Sequence, residues 1–357
     1  MKIAIYISQP SPSFWGQDVY FINKLVQEWS HKDPECRFTI FSPIEEVLIE
    51  LISECSNIEA QKVPAASGII SSWKLQFRMK RKLRSLKPAV FISFNHIFSL
   101  STSTNQVVIY STLPSSWRKR ALLNVAKLML PSNASKLEVA KLLPHTADNL
   151  QVIRGAADEF VFTDEAHRMQ VKDRHTGGAE YLLLNSDFAS SDDVVFVLKS
   201  FSIFKKRQKT SMKIVMAGKP IDSDKINELL QHYKYKDDVV IVDALNRDER
   251  FNLLASAYAL IESLRPNQPL LVSLQAMAAF VPVLYPKNSG LNEIAPDHET
   301  GFDPLSVQDL ADKMIRIYKD ENWRKKVADE NRNVLQIYSW PKVAATIWEQ
   351  LNPIGVK

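Results

Sequence analysis

The sequence predicts an α/β protein made of two doubly wound parallel sheets. Three observations predict it. Short apolar runs alternate with longer amphipathic segments along most of the chain, as buried parallel strands do when helices cover both faces of their sheet. The alternation breaks at 161–179, a polar stretch holding Gly177 and Gly178 that reads as a linker, and then restarts. Residues 258–284 read as one complete strand–loop–helix–strand unit. These divide the chain into a first domain at 1–160, a second at 180–335 and a terminal helix at 336–357. At 357 residues each domain is large enough to bury its own core.

The first strand is predicted at 2–7, followed by a loop and a helix over 17–30. Strands follow at 37–42 and 58–63. The segment 73–87 is an amphipathic helix with Leu75, Met79, Leu83 and Leu86 on one stripe, flanked by Trp73 and Phe77. Lys74, Arg78, Lys80, Arg81, Lys82, Arg84 and Lys87 take the rest of its surface. Two readings stand for it: a sheet-covering helix with a solvated basic face, or a peripheral contact with anionic lipid. Further strands are predicted at 89–94 and 106–110.

The second domain repeats the pattern more plainly. Strands at 181–184, 213–217, 239–242 and 258–261 alternate with helices at 192–207, 222–233 and 247–257. A helix then spans about 269–280, with Asn267 suited to its N-cap and Pro269 to its first turn, and 282–284 is the next strand. In such open sheets, ligands sit beyond the carboxyl ends of the strands, near helix N-termini. Helices at 309–320, 323–333 and 340–351 complete the chain.

Composition narrows the function. Hydrophobic residues make up 45% and charged residues 24%, as in ordinary globular proteins. The net charge of +5 suits an anionic ligand or surface, while the absence of a separate basic tail argues against nucleic acid. Two cysteines, Cys36 and Cys55, cannot form a disulfide framework, and the scattered histidines suggest no metal site. No signal peptide is expected before the first strand and no long apolar span after it, so a cytoplasmic location is expected, with peripheral contact at the inner face of a membrane the alternative. Only 9 of 357 residues are glycine, about 2.5% against an average near 7%, which is sparse for loops that cradle phosphate.

In residues 258–284 the frame Gln275-Ala276-Met277-Ala278, then Val281-Pro282-Val283, resembles the donor-site signature of the family 4 glycosyltransferases, the glycosyl transferases group 1 type. Those enzymes read Tyr-Pro-Ser-x-x-Glu-Gly-Phe-Gly, then a second Glu followed by Ala-Met-Ala-x-Gly-x-Pro-Val. Ser289 to Ile294, Glu299 to Phe302 and Tyr338-Ser339-Trp340 match further family segments, and Gln151 to Gly155 is similar to its "Val-Ile-x-Asn-Gly". The resemblance implies the GT-B fold: two Rossmann-like domains facing a cleft, with the C-terminal helix crossing back to the first. It implies transfer of a sugar, with retention, from a nucleotide-sugar to a glycan or lipid-linked acceptor, with no cofactor and no metal.

The resemblance also marks site positions. Asn267 stands where the family has the carboxylate that serves the sugar, and Gln275 where it has the one that holds the ribose. Asp187 and Asp192 stand at the positions of a diphosphate-binding Arg and Lys; the residues alone allow a loop in which Ser190, Ser191 or Asp192 caps the next helix. Carboxylates beside a diphosphate would add about 1–4 kcal/mol of repulsion per close pair. Gly218, Lys219, Arg265 and Arg154 are candidates for the phosphate side, and Gly16 is either the remnant of a glycine-rich turn or a helix-entry glycine. The family's His on the strand ending at Tyr110 is absent, leaving His96, one strand end earlier, as a candidate beside Asn267 for catalysis or as a structural residue. Two functions follow from this pattern: a working glycosyltransferase, or a non-catalytic relative that binds a glycan or a protein partner.

Overall fold

A computed structural model of the chain describes residues 1–8, 17–65, 69–98, 104–110, 125–158, 164–186, 189–218, 222–262, 270–295 and 299–351. It contains two compact units. The first takes β1 (Lys2–Ile7), the segment Gln17–Gly155 and the chain from Ser339 through the C-terminal helix Trp340–Leu351; the second is Ala156–Tyr338.

In the first unit, β1 is followed by α1 (Gln17–Lys32), β2 (Arg37–Ser42), α2 (Glu45–Glu54), β3 (Ile58–Lys62), α3 (Ile69–Leu86), β4 (Val90–Phe94), β5 (Asn105–Ile109), β6 (Lys127–Leu130), α4 (Asn133–Leu142) and β7 (Leu150–Val152). Its strands lie in the order β3-β2-β1-β4-β5-β6-β7, all parallel. β1 is central, with Ile5 beside Ile40 of β2 and Ile92 of β4, and it is buried from Ile3 onward because helices cover both faces. The strand order turns back between β1 and β4, which makes this a switch point, and His96 lies just past β4. Ser132 caps α4 by accepting the Ser135 N–H at 3.1 Å.

α3 starts at Ile69, earlier than expected. Leu75, Met79 and Leu83 pack against Tyr6, Phe41, Phe91 and Phe98 as the periodicity predicts. Trp73 and Phe77 do not flank that stripe; both are exposed. The C-terminal helix returns to this unit. Trp29 of α1 donates its Nε1–H to the Ala344 carbonyl at 3.0 Å, and Trp348 lies beside both Trp29 and Phe38.

The second unit runs α5 (Glu165–Thr176), β8 (Tyr181–Asn185), α6 (Ser191–Gln208), β9 (Lys213–Ala217), α7 (Ser223–Gln231), β10 (Val239–Val242), α8 (Arg247–Ala255), β11 (Ala259–Ile261), α9 (Leu271–Ala278), β12 (Val283–Pro286), β13 (Gly301–Phe302), α10 (Val307–Lys319) and α11 (Glu321–Val334). The order is β10-β9-β8-β11-β12-β13, again parallel throughout. β8 feeds two cores. Tyr181 and Leu183 join Val215, Leu260, Leu274 and Met277 on one face, and Leu182 and Leu184 join Phe201, Phe204 and Ile214 on the other. Here too the order turns back at the centre, between β8 and β11.

The stretch 161–179, expected as a linker, contains α5 and lies inside the second unit. Its caps make the helix rather than an apolar stripe. Asp164 accepts the His167 N–H at 2.7 Å, and Gly177 closes the last turn at φ +64°, a conformation glycine adopts without strain. Among the described residues no helix is long and apolar enough to cross a membrane.

Candidate functional site

The carboxyl edge of the second sheet collects buried polar groups at its switch point. β8 ends on Asn185, and β11 is followed directly by Glu262, only 3% exposed. The ladder explains the juxtaposition: Ile261 pairs with Leu184 and the Glu262 N–H donates to Leu284 O at 2.8 Å, so Glu262 emerges beside Asn185. Asn185 Nδ2 donates to Glu262 Oε1 at 2.8 Å, and Ser273 Oγ, in the first turn of α9, donates to Oε2. Each carboxyl oxygen thus meets a donor in a site shielded from water, where hydrogen bonds are stronger than in solvent. The network fastens β8, β11 and the start of α9 together.

The neighbouring strand end adds a second fastening. Ser186, fully buried, donates its hydroxyl to the Gly218 carbonyl at 3.3 Å. Gly218 follows β9 at φ +113°, a backbone conformation closed to residues with a Cβ, and its N–H donates to Val242 O at 3.0 Å. Gln275 lies on α9, two residues beyond Ser273 and 8% exposed.

The other predicted positions divide plainly. Ser190, rather than Ser191 or Asp192, caps α6: its hydroxyl accepts the Asp193 N–H at 3.2 Å, while the Asp193 carboxylate accepts the Ser190 N–H at 2.9 Å. Asp192 is exposed in the first helical turn, where the helix dipole favours a carboxylate. Asn267, Asp187, Lys219, Arg265 and Gly16 lie outside the described residues. Arg154 belongs to the first unit.

His96 is also in the first unit, packed among aromatics, with ring centroids 5.5 Å from Tyr6 and 4.4 Å from Phe98. Asn95 before it takes a left-handed backbone, φ +52°, and Ser93 Oγ donates to the His96 carbonyl at 2.7 Å, which together fix the turn out of β4. Burial pushes the Tyr6 hydroxyl up to about 12. His96 is therefore held by packing as well as placed at a strand end.

Sequence reasoning passed over Glu262, Asn185 and Ser273. The signal available was a carboxylate ending the apolar run of a central strand, where it must be buried and must therefore have partners.

Two parallel doubly wound units with a returning terminal helix define the class as proteins of GT-B type fold. Residues 168–334 match the family model "Glycosyl transferases group 1". The lipopolysaccharide 1,2-N-acetylglucosaminetransferase of Salmonella typhimurium LT2 is 24% identical over 240 residues, which make up 64% of this chain and 62% of that relative, so the match spans less than two thirds of the relative. A glycosyltransferase structure from Rickettsia africae superposes with a TM-score of 0.77 at 15% identity, covering 99% of this chain and 98% of that one. The structure of Anabaena Alr3699/HepE in complex with UDP and glucose gives 0.77 at 14% identity, covering 99% and 100%.

Proposed function

We propose that this protein is a glycosyltransferase that moves a sugar from a nucleotide-sugar to a glycan or lipid-linked acceptor, with retention and without a metal. The observation that carries the reading is the polar set at the carboxyl edge of the second sheet: Asn185, Glu262 and Ser273 fastened together, Gly218 left-handed, and Gln275 buried on the helix that follows. A fold of this type binds nucleotides at that edge. Gln275 then serves the ribose, and Asn267 the sugar, as amides that both donate and accept. The Anabaena protein's complex with UDP and glucose supports a uridine nucleotide, and the Salmonella relative's printed activity supports a glycan acceptor. A lipid-linked acceptor would bring the enzyme to the inner face of a membrane as a peripheral protein.

The exchange of both carboxylates for amides favours a second reading, a non-catalytic relative that binds a glycan or a protein partner. Calorimetric titration with UDP, GDP and ADP separates the two. The wild type is expected to bind one of them at micromolar concentration. Silence from the wild type, with binding by the Asn267→Glu, Gln275→Glu, Asp187→Arg, Asp192→Lys variant, would mean that the pocket persists without its chemistry and would overturn the transferase reading.

A further inference from the structure

α3 has two apolar faces, and only one of them is in the core. Leu75, Met79 and Leu83 are buried. Ile70, Trp73 and Phe77, spaced i, i+3 and i+7, form a second stripe at 73%, 77% and 75% exposure. Three large side chains left in water on a single helix face are unusual for a soluble surface and mark an interaction site. The charge beside them selects the partner. Lys74, Arg78 and Arg81 are exposed on the same helix, and the segment 69–86 contains no Asp or Glu.

We infer that this outer face of α3 docks on an anionic lipid bilayer, with Ile70, Trp73 and Phe77 seated at the headgroup–acyl boundary and the flanking cations on lipid phosphates. Tryptophan and phenylalanine supply apolar area at the depth where an interfacial helix lies, and lysine and arginine keep their stems along it while their heads reach the phosphates. A protein partner would need a matched acidic groove; a bilayer needs only anionic lipid, which this mix of exposed aromatics and unopposed cations fits. The inference rests on the exposed face of α3 and is independent of transferase activity.

The test is co-sedimentation of the full chain with vesicles of phosphatidylcholine alone and of phosphatidylcholine with phosphatidylglycerol. The wild type should bind the anionic vesicles at least tenfold more strongly, and raised salt should weaken the binding. The Trp73→Ala, Phe77→Ala variant should lose about tenfold or more. Lys74→Gln, Arg78→Gln should lose about fivefold per cation. All four side chains are exposed, so these variants should keep the wild-type melting temperature, and circular dichroism checks that they do. Equal binding of the wild type to both vesicle types, or wild-type binding by the Trp73→Ala, Phe77→Ala variant, would overturn the inference. So would failure to bind vesicles together with self-association abolished by that variant, which would make the face a contact between copies of this chain. Nucleotide titration reads the transferase proposal separately, because these residues lie outside the second unit.

Discussion

Removing the Glu262 carboxylate should be costly in a way that reveals what the network does. In Glu262→Ala, Asn185 Nδ2 and Ser273 Oγ both lose their acceptor, and both residues are buried. A buried donor left without a partner costs about 1–3 kcal/mol, so the two together cost about 2–6 kcal/mol, with water entering the vacated space pulling the value toward the lower half. Glu262→Gln keeps an acceptor for Asn185 and presents an amide that Ser273 can accept from, so it should cost only about 1–2 kcal/mol. Replacing both ends of one bond by apolar groups, as in Asn185→Leu, Glu262→Leu, should recover part of the alanine loss. Two units need not unfold together, so a single melting curve is the wrong assay. Hydrogen exchange read by mass spectrometry resolves peptides from β8, β11 and α9, and their opening free energy should fall by the amounts above while the first unit keeps its protection. A loss below about 1 kcal/mol in Glu262→Ala, or one spread evenly over both units, would refute the argument that this carboxylate fastens the second sheet's switch point.

Two further outcomes follow from single residues. Phe280 adopts φ +58°, a left-handed conformation, with its ring 4.3 Å from the Arg332 guanidinium; both Phe280→Gly and Phe280→Ala lose that contact, but only glycine relieves the strain, so Phe280→Gly should be the more stable of the two by about 0.5–1 kcal/mol in urea unfolding. The Glu299 carboxylate is held below its ordinary range, first by the Trp323 Nε1–H at 2.6 Å and then by Arg316; because its folded value is depressed, its contribution is present above the unfolded value near 4.5 and is lost as pH falls through the folded one, so the loss of hydrogen-exchange protection in the second unit on acidification should be smaller in Glu299→Gln.

Much of the fold was legible in the sequence because both sheets are parallel and covered on two faces. Runs such as residues 214–217 must then be apolar throughout, and they read as strands with little ambiguity. α5 was not legible, because its sequence is polar almost throughout and its existence depends on Asp164 and Gly177 at its ends, residues that equally signal a loop. The outer face of α3 was misread for a different reason: periodicity locates apolar positions on a helix but cannot say which of two stripes meets the sheet. Of the candidate site, Gln275 was singled out through a motif frame and Gly218 as the residue that ends a predicted strand. Asn185, Glu262 and Ser273 were not, because they come together only once β8 and β11 become neighbours, and nothing local in the chain announces that pairing.

The return of the C-terminal helix has a consequence for synthesis. Trp29 is made early, yet the carbonyl that accepts its indole N–H belongs to Ala344, made after every strand of the second unit. Domains generally fold as they emerge from the ribosome, the N-terminal one first. In this chain the second unit is complete once Tyr338 has emerged, while the first still waits with Trp29 and Phe38 lacking their cover. The unit begun first is the one finished last, and a nascent chain stalled before residue 340 would present an open apolar seam to chaperones rather than a shortened but settled protein.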